Sequence, residues 1–192
     1  MISKLSTILT KYLLRKDVIT ADDRELYEYG LFMFLSYIMF FLFSLIFGFL
    51  FKVPLESIIF FVAFGLIRSF AGGVHADTEM KCTVFTSFSL LFSVILIRLL
   101  INYNAIAIVI ILVIVSATVL FLLKPVTYTS KEINEDDKLY YKKIVNILTI
   151  ILIVIVILSA IFKLYNITFS TSVGLTLATV LLIIGKIQRS KQ

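Results

Sequence analysis

Six long apolar runs make up most of the chain, and short polar segments separate them. The first run, residues 31–50, contains 20 residues and no charge. A helix of that length rises about 30 Å, the thickness of the hydrocarbon core of a bilayer. The runs are continuous rather than alternating, so helices are predicted instead of barrel strands. We expect an all-α polytopic membrane protein with six transmembrane helices, at 31–50, 55–70, 83–101, 105–123, 144–162 and 171–187.

The second run, 55–70, is the weakest of the six because it is short for a full crossing. It carries Glu56 at one end and Arg68 at the other. Charges inside a membrane often mark a transport pathway, so a small membrane transporter or peptide exporter is one hypothesis. The other runs are almost free of ionisable groups, however, and Arg68 can also extend its charge to the membrane surface.

Composition agrees with a membrane protein. The chain is 60% hydrophobic and 16% charged, whereas soluble domains are about 45–50% apolar and about 25% charged. No polar segment is long enough for a separate soluble domain, so residues 1–192 are expected to form a single membrane domain. A single cysteine excludes an internal disulfide, and we expect no cleavable signal peptide and no nucleic-acid partner.

The distribution of basic residues predicts the orientation. With six crossings, the N-terminal segment, the second and fourth connections and the C-terminal tail share one face, which carries 15 Lys and Arg residues. The other face has only Lys52 and Lys163, with Arg98 in a run near it. Because basic residues concentrate on the cytoplasmic side, both termini and the second connection are expected in the cytoplasm.

The N-terminal segment, residues 1–28, is predicted to begin with an amphipathic helix. Over residues 1–16, apolar positions recur at helical spacing and lysines fall between them. Such a helix lies on a membrane surface, although a solvated and partly frayed terminus is the alternative.

The only histidine and the only cysteine of the chain, His75 and Cys82, lie seven residues apart in the second connection. Coincidence in a polar loop is one explanation. A metal site of His75, Asp77, Glu79 and Cys82 is another, but structural zinc sites use several Cys or His ligands, so no metal and no cofactor is expected. The third explanation is a catalytic pair, in which a neighbouring imidazole stabilises the reactive thiolate.

A catalytic pair requires the chain to bend between the two residues. In one continuous helix they would lie about 10.5 Å apart along the axis, too far for a hydrogen bond. Gly72 and Gly73 can end the second helix, and Asp77-Thr78 can cap the third. Cys82 would then lie in the first turns of the third helix, where the helix N-terminus stabilises a thiolate and free backbone N–H groups can bind an oxyanion.

The sequence around this pair resembles the accessory gene regulator B (AgrB) family, the membrane peptidases of Gram-positive quorum sensing. The resemblance rests on Arg68, Gly72-Gly73, His75-Ala76 and Cys82 in a His-x6-Cys spacing. A Lys-Pro-Val segment after the fourth run and Tyr-Tyr-Lys-Lys at 140–143 extend it over nearly the whole chain.

The resemblance implies an activity and its partners. His75 and Cys82 match the catalytic pair of a cysteine endopeptidase that acts on a short precursor peptide of the AgrD type. The cysteine removes the acidic C-terminal tail through an acyl thioester, and an internal side chain of the peptide then closes a thiolactone or lactone ring. The product serves quorum sensing and virulence regulation, and a homodimer in the lipid bilayer is expected.

Supporting roles are expected for further residues of the pattern. Arg68 would orient the site or hold a carboxylate or oxyanion, Gly72 and Gly73 would permit the bend, and Asp77 could orient His75. The substrate-tail candidates are three lysines of the fourth connection, for which membrane anchoring is the alternative role: Lys138, Lys142 and Lys143.

Overall fold

A computed structural model describes residues 2–72, 79–123 and 135–190. Within these ranges the chain forms seven helices and no strand. The helices are α1 (Ile2–Arg15), α2 (Arg24–Leu50), α3 (Pro54–Ala71), α4 (Glu79–Tyr103), α5 (Ile106–Leu122), α6 (Glu135–Ile161) and α7 (Tyr165–Arg189). The chain divides into two compact units, Met1–Phe43 and Ser44–Gln192.

The all-α polytopic prediction is confirmed. Five helices in the described ranges, α2, α3, α4, α6 and α7, are long and apolar enough to cross a membrane. The sixth predicted crossing corresponds to α5, which is apolar and 17 residues long, at the short end of transmembrane helices. The shortest of the six apolar helices is therefore α5, with 17 residues, rather than α3, which extends over 18 residues from Pro54 to Ala71.

Several helices extend beyond the apolar runs that predicted them. α2 begins at Arg24 and α6 at Glu135, well before the predicted starts at residues 31 and 144. An apolar run marks only the hydrocarbon-length part of a helix, because polar residues at its ends remain helical in the interfacial region. The helices are thus longer than the membrane-crossing segments inferred from hydropathy.

The connections α2–α3, α4–α5 and α6–α7 share one turn geometry. In each, a residue in the left-handed region follows the helix: Lys52 (φ 59°), Asn104 (φ 47°) or Lys163 (φ 58°). The next residue donates its backbone N–H to the carbonyl five positions earlier, as from Val53 to Gly48 at 2.8 Å. This bond defines the Schellman motif, which satisfies orphan carbonyls at a helix end. It occurs here without glycine, so the tight turns carry no glycine signal in the sequence.

α7 lies at the centre of the Ser44–Gln192 unit, packed against α3, α4, α5 and α6. Gly174 lets α3 approach closely, because a Cβ there would meet the Phe60 carbonyl oxygen at 2.7 Å. Hydroxyl groups join the other helices: Ser159 and Thr168 lie 2.8 Å apart, and Ser116 donates to Thr176 at 3.2 Å. Small and hydroxylated residues are typical of helix contacts in membranes, where apolar burial alone gives little driving force.

Candidate functional site: the α3–α4 connection and the first turn of α4

The end of α3 is fixed by Gly72. Its N–H donates to the Arg68 carbonyl at 3.3 Å, and its backbone has φ 74° and ψ −153°. That region is essentially restricted to glycine, because a Cβ would clash with the backbone. The helix therefore stops at Ala71, and Arg68 lies in its last turn. The predicted interruption at Gly72 is present.

Cys82 lies in the first turn of α4, which begins at Glu79. Its thiol is free and partly accessible. The N-terminal turn of a helix leaves backbone N–H groups without intrahelical partners, and the positive end of the helix dipole favours an anion there. Backbone N–H groups in such a turn can bind an oxyanion.

His75, Gly73 and Asp77 lie outside the described residues, so the pairing of His75 with Cys82 stays a prediction. The proposed metal set also falls largely there. Among the residues that the structure does describe, no group of three or more His, Cys, Asp or Glu side chains is placed to hold a metal ion.

An open apolar groove of about 670 Å³ lies along the start of α4. It is lined by Met80, Lys81, Val84, Phe85 and Phe88. The side chains of Met80 and Phe88 are 76% and 67% exposed. Lys81 contributes the one charge of this lining, next to the thiol in sequence. Cys82 is not one of the lining residues, and at 100° per residue it lies about 160° around the helix from Met80 and about 120° from Phe88.

The two charges that motivated the transport hypothesis do not lie together. Glu56 is in the first turn of α3 and Arg68 in its last, about 18 Å apart along the helix axis. Glu56 instead accepts a hydrogen bond from the Asn166 side chain at 2.7 Å, which joins the start of α3 to the start of α7. No sequence signal identified this partner, since the two residues are 110 positions apart.

Lys142 holds the C-terminal end of α5. Its ammonium donates to the carbonyls of Leu120, Phe121 and Leu123 at 2.7, 2.9 and 2.6 Å. An ammonium has three N–H donors, so these three acceptors occupy all of them. Lys142 thus satisfies carbonyls that would otherwise lack partners at the helix end. We call this arrangement the Lys142 clamp.

The three tail-binding candidates therefore differ in their surroundings. Lys143 is exposed, and Lys138 is partly exposed. The ammonium of Lys142 is engaged by α5 and experiences repulsion from Lys186 near the end of α7. Sequence reasoning missed the clamp because the signal, a charged residue in the first turns of an apolar helix, also fits ordinary membrane anchoring.

Comparison with known proteins adds the family to this geometry. A sequence model described as accessory gene regulator B matches residues 5–184. A curated protein of Clostridium perfringens (strain SM101 / Type A), described as AgrB-like, is 25% identical over 84 residues. That match covers 44% of this chain and 39% of the relative. No solved structure matches the chain significantly.

Proposed function

The chain belongs to the accessory gene regulator B family, and on that premise we propose that it is a membrane cysteine endopeptidase with a Cys82–His75 pair. Its substrate would be an AgrD-like precursor peptide, from which it removes the C-terminal tail and which it helps to cyclise for quorum sensing. The observation that carries the proposal is the position of the only thiol of the chain in the first turn of α4, directly after a glycine-terminated helix.

The first half of the reaction would form an acyl enzyme. His75 takes the thiol proton of Cys82, and the thiolate attacks the carbonyl carbon of the bond before the tail. As the tetrahedral intermediate collapses, the C–N bond breaks, the C–S bond remains, and the imidazolium donates its proton to the leaving amine. Backbone N–H groups in the first turn of α4 are suited to bind the oxyanion.

The second half would release the ring. The internal thiol or hydroxyl of the peptide gives its proton to His75 and attacks the thioester carbonyl, and Cys82 leaves as a thiolate. Exchange of one thioester for another costs little free energy, whereas attack by water would lose the ring. A site at the membrane surface that excludes water would therefore favour cyclisation.

Supporting roles complete the proposal. Gly72 and Gly73 allow the chain to reverse between α3 and α4, Arg68 holds a carboxylate or the oxyanion, and Asp77 orients His75. The exposed Lys143, with Lys138, attracts the acidic tail of the peptide. Lys142 stays a candidate for the same role, which would compete with its clamp on α5.

We also propose the arrangement of the protein in the cell membrane. Both termini and the α3–α4 connection would face the cytoplasm, because the basic residues concentrate on that side. The family resemblance supports a homodimer. Cysteine accessibility mapping with a membrane-impermeant reagent would report the side on which Cys82 lies.

The direct test is co-expression with the precursor peptide. Cys82→Ala and His75→Ala should each abolish tail release while the protein still inserts in the membrane. Ser89→Ala is the matched control, since Ser89 is a partly exposed residue of α4 whose hydroxyl donates to the Phe85 carbonyl of its own helix at 2.9 Å, and it should cleave normally. Cleavage by Cys82→Ala would exclude the mechanism, and export of uncleaved peptide by wild type would favour a peptide exporter.

Alkylation tests the pair without substrate. Because Cys82 is the only cysteine, modification of the whole protein reports one thiol. At near-neutral pH an alkylating reagent should modify wild type faster than His75→Ala, since the imidazole raises the thiolate fraction. Equal rates in the two proteins would remove the argument for a Cys–His pair.

A further inference from the structure

The N-terminal helix α1 exposes its apolar side chains. It has 14 residues, about 21 Å of helix, which is too short to cross a bilayer. Leu5 is 46% exposed, Ile8 62% and Tyr12 58%. These residues recur at spacings of three and four, so they share one face of the helix with Leu9. We call this face the α1 apolar face.

The opposite face of α1 carries the buried contacts. Ser6 and Thr10 are almost fully buried, and Thr7 donates its hydroxyl to the Glu28 carboxylate of α2. This is the reverse of an amphipathic helix on a soluble protein, which turns its apolar face inward. The small hydroxyl side chains face the protein, so the α1 apolar face requires an apolar medium outside the protein.

Basic residues flank that face, and α1 contains no acidic residue. Lys4, Lys11 and Arg15 follow one edge at spacings of seven and four, and Lys16 follows the last turn. All four are exposed. A second copy of α1 would bring like charges together, whereas an anionic surface would complement them. Exposed apolar residues bordered by cations are the pattern of helices that lie in the interface of anionic membranes.

We propose that α1 binds the surface of a bilayer that contains anionic lipids, with the α1 apolar face in the interface and the basic edge on the headgroups. The interaction is independent of catalysis at Cys82. Each basic residue near an anionic surface strengthens binding about fivefold, so neutralising two of them should weaken α1 docking by about tenfold or more. Salt should weaken it as well, because it screens exposed charges.

The experiment uses the full chain in nanodiscs with a fluorophore on α1. Cys82→Ala removes the native thiol, and Ile8→Cys places a single label on the α1 apolar face. Brominated lipids quench a fluorophore that enters the bilayer. We expect strong quenching in discs that contain phosphatidylglycerol and weaker quenching in phosphatidylcholine alone. A label at Ser3, about 140° around the helix from Ile8 and exposed, should be quenched less in both.

Charge variants distinguish an effect of the basic edge of α1 from an effect of the net charge of the protein. Lys11→Gln with Arg15→Gln should lose the dependence on phosphatidylglycerol. Lys52→Gln with Lys163→Gln is the matched control, since it removes two positive charges from the turns after α2 and α6, and it should keep that dependence. Equal quenching of the Ile8 label in both lipids would overturn the proposal. So would quenching that arises only when the precursor peptide is added, because the occupant would then be a peptide.

Discussion

Replacement of Lys142 by methionine tests the Lys142 clamp. Methionine keeps an unbranched apolar side chain of similar length but removes the ammonium that binds the Leu120, Phe121 and Leu123 carbonyls. The end of α5 then loses its cap, and the change should lower the free energy of unfolding. A role limited to electrostatic attraction of the precursor tail predicts no such change.

The magnitude follows from the three bonds. Hydrogen bonds to a charged group contribute about 1.5–3 kcal/mol each when they are protected from water. The bond to Phe121 is exposed and the other two are only partly buried, so water can replace part of what is lost. Removal of the ammonium also relieves its desolvation and, to a smaller extent, its repulsion from Lys186, which offsets a further part. We therefore expect Lys142→Met to lower the free energy of unfolding by about 1–2 kcal/mol.

Titration with a denaturing detergent in mixed micelles measures this free energy, with helix content as the signal. Lys143→Met is the matched control, because it removes the same charge from the adjacent residue, whose side chain is exposed. It should stay within about 0.5 kcal/mol of wild type. Lys142→Arg keeps a cation with several donors and should retain part of the stability. Equal destabilisation by Lys142→Met and Lys143→Met would refute the clamp.

Three glycine substitutions and one lysine substitution should separate close packing from backbone strain in the same titration. Gly174→Ala should lower the free energy of unfolding by about 1–3 kcal/mol, since the new Cβ meets backbone atoms of α3. Gly65→Ala, with nothing within 4 Å, should be neutral or stabilising by up to about 1 kcal/mol. Gly72→Ala should lower the free energy of unfolding by about 1–3 kcal/mol because of its positive φ, and an unchanged titration midpoint would contradict that strain. Lys163→Gly should stabilise slightly, because glycine adopts φ 58° without a Cβ penalty; a loss above 1 kcal/mol would show that the Lys163 side chain contributes packing.

The helices were predictable from the sequence because a membrane imposes a simple length rule. An apolar run of about 17–25 residues must be helical to satisfy its own backbone. Each of the six predicted apolar runs lies inside one helix or extends beyond an end of that helix by a single residue. The rule says nothing of polar residues beyond the hydrocarbon, so the early starts of α2 at Arg24 and α6 at Glu135 were missed.

Tertiary contacts between distant polar residues were not predictable. Lys142 and Leu120 are 22 positions apart, and Asn166 and Glu56 are 110 apart. A lysine near a membrane surface has several roles open to it, and hydropathy does not distinguish a helix cap from an anchor. The Schellman turns at Lys52 and Lys163 were likewise not predictable, because lysine, unlike glycine or asparagine, does not mark a left-handed residue after a helix.

Part of the candidate site followed from one geometric argument. The rise of a helix makes a continuous segment from His75 to Cys82 incompatible with a hydrogen bond between them. The glycines then marked where the second helix should end, and α3 does end at Ala71 with Gly72 in a conformation suited to glycine. The residue types and spacing of His75 and Cys82 did not distinguish between coincidence, metal binding and catalysis. The substrate class was inferred from the family resemblance alone.

Both helices next to the α3–α4 connection depend on α7 for their positions. α3 and α4 each pack against α7 more extensively than against each other. The separation between Gly72 and the first turn of α4 is therefore set through the α3–α7 and α4–α7 contacts. Gly174 brings α3 within backbone distance of α7, so a Cβ there should displace α3 relative to α4. Under the proposed function, Gly174→Ala should then slow tail release at a temperature where the variant is fully folded, whereas Gly65→Ala on α3 should not. Equal rates for the two variants would show that the position of α3 is unimportant for the reaction of Cys82.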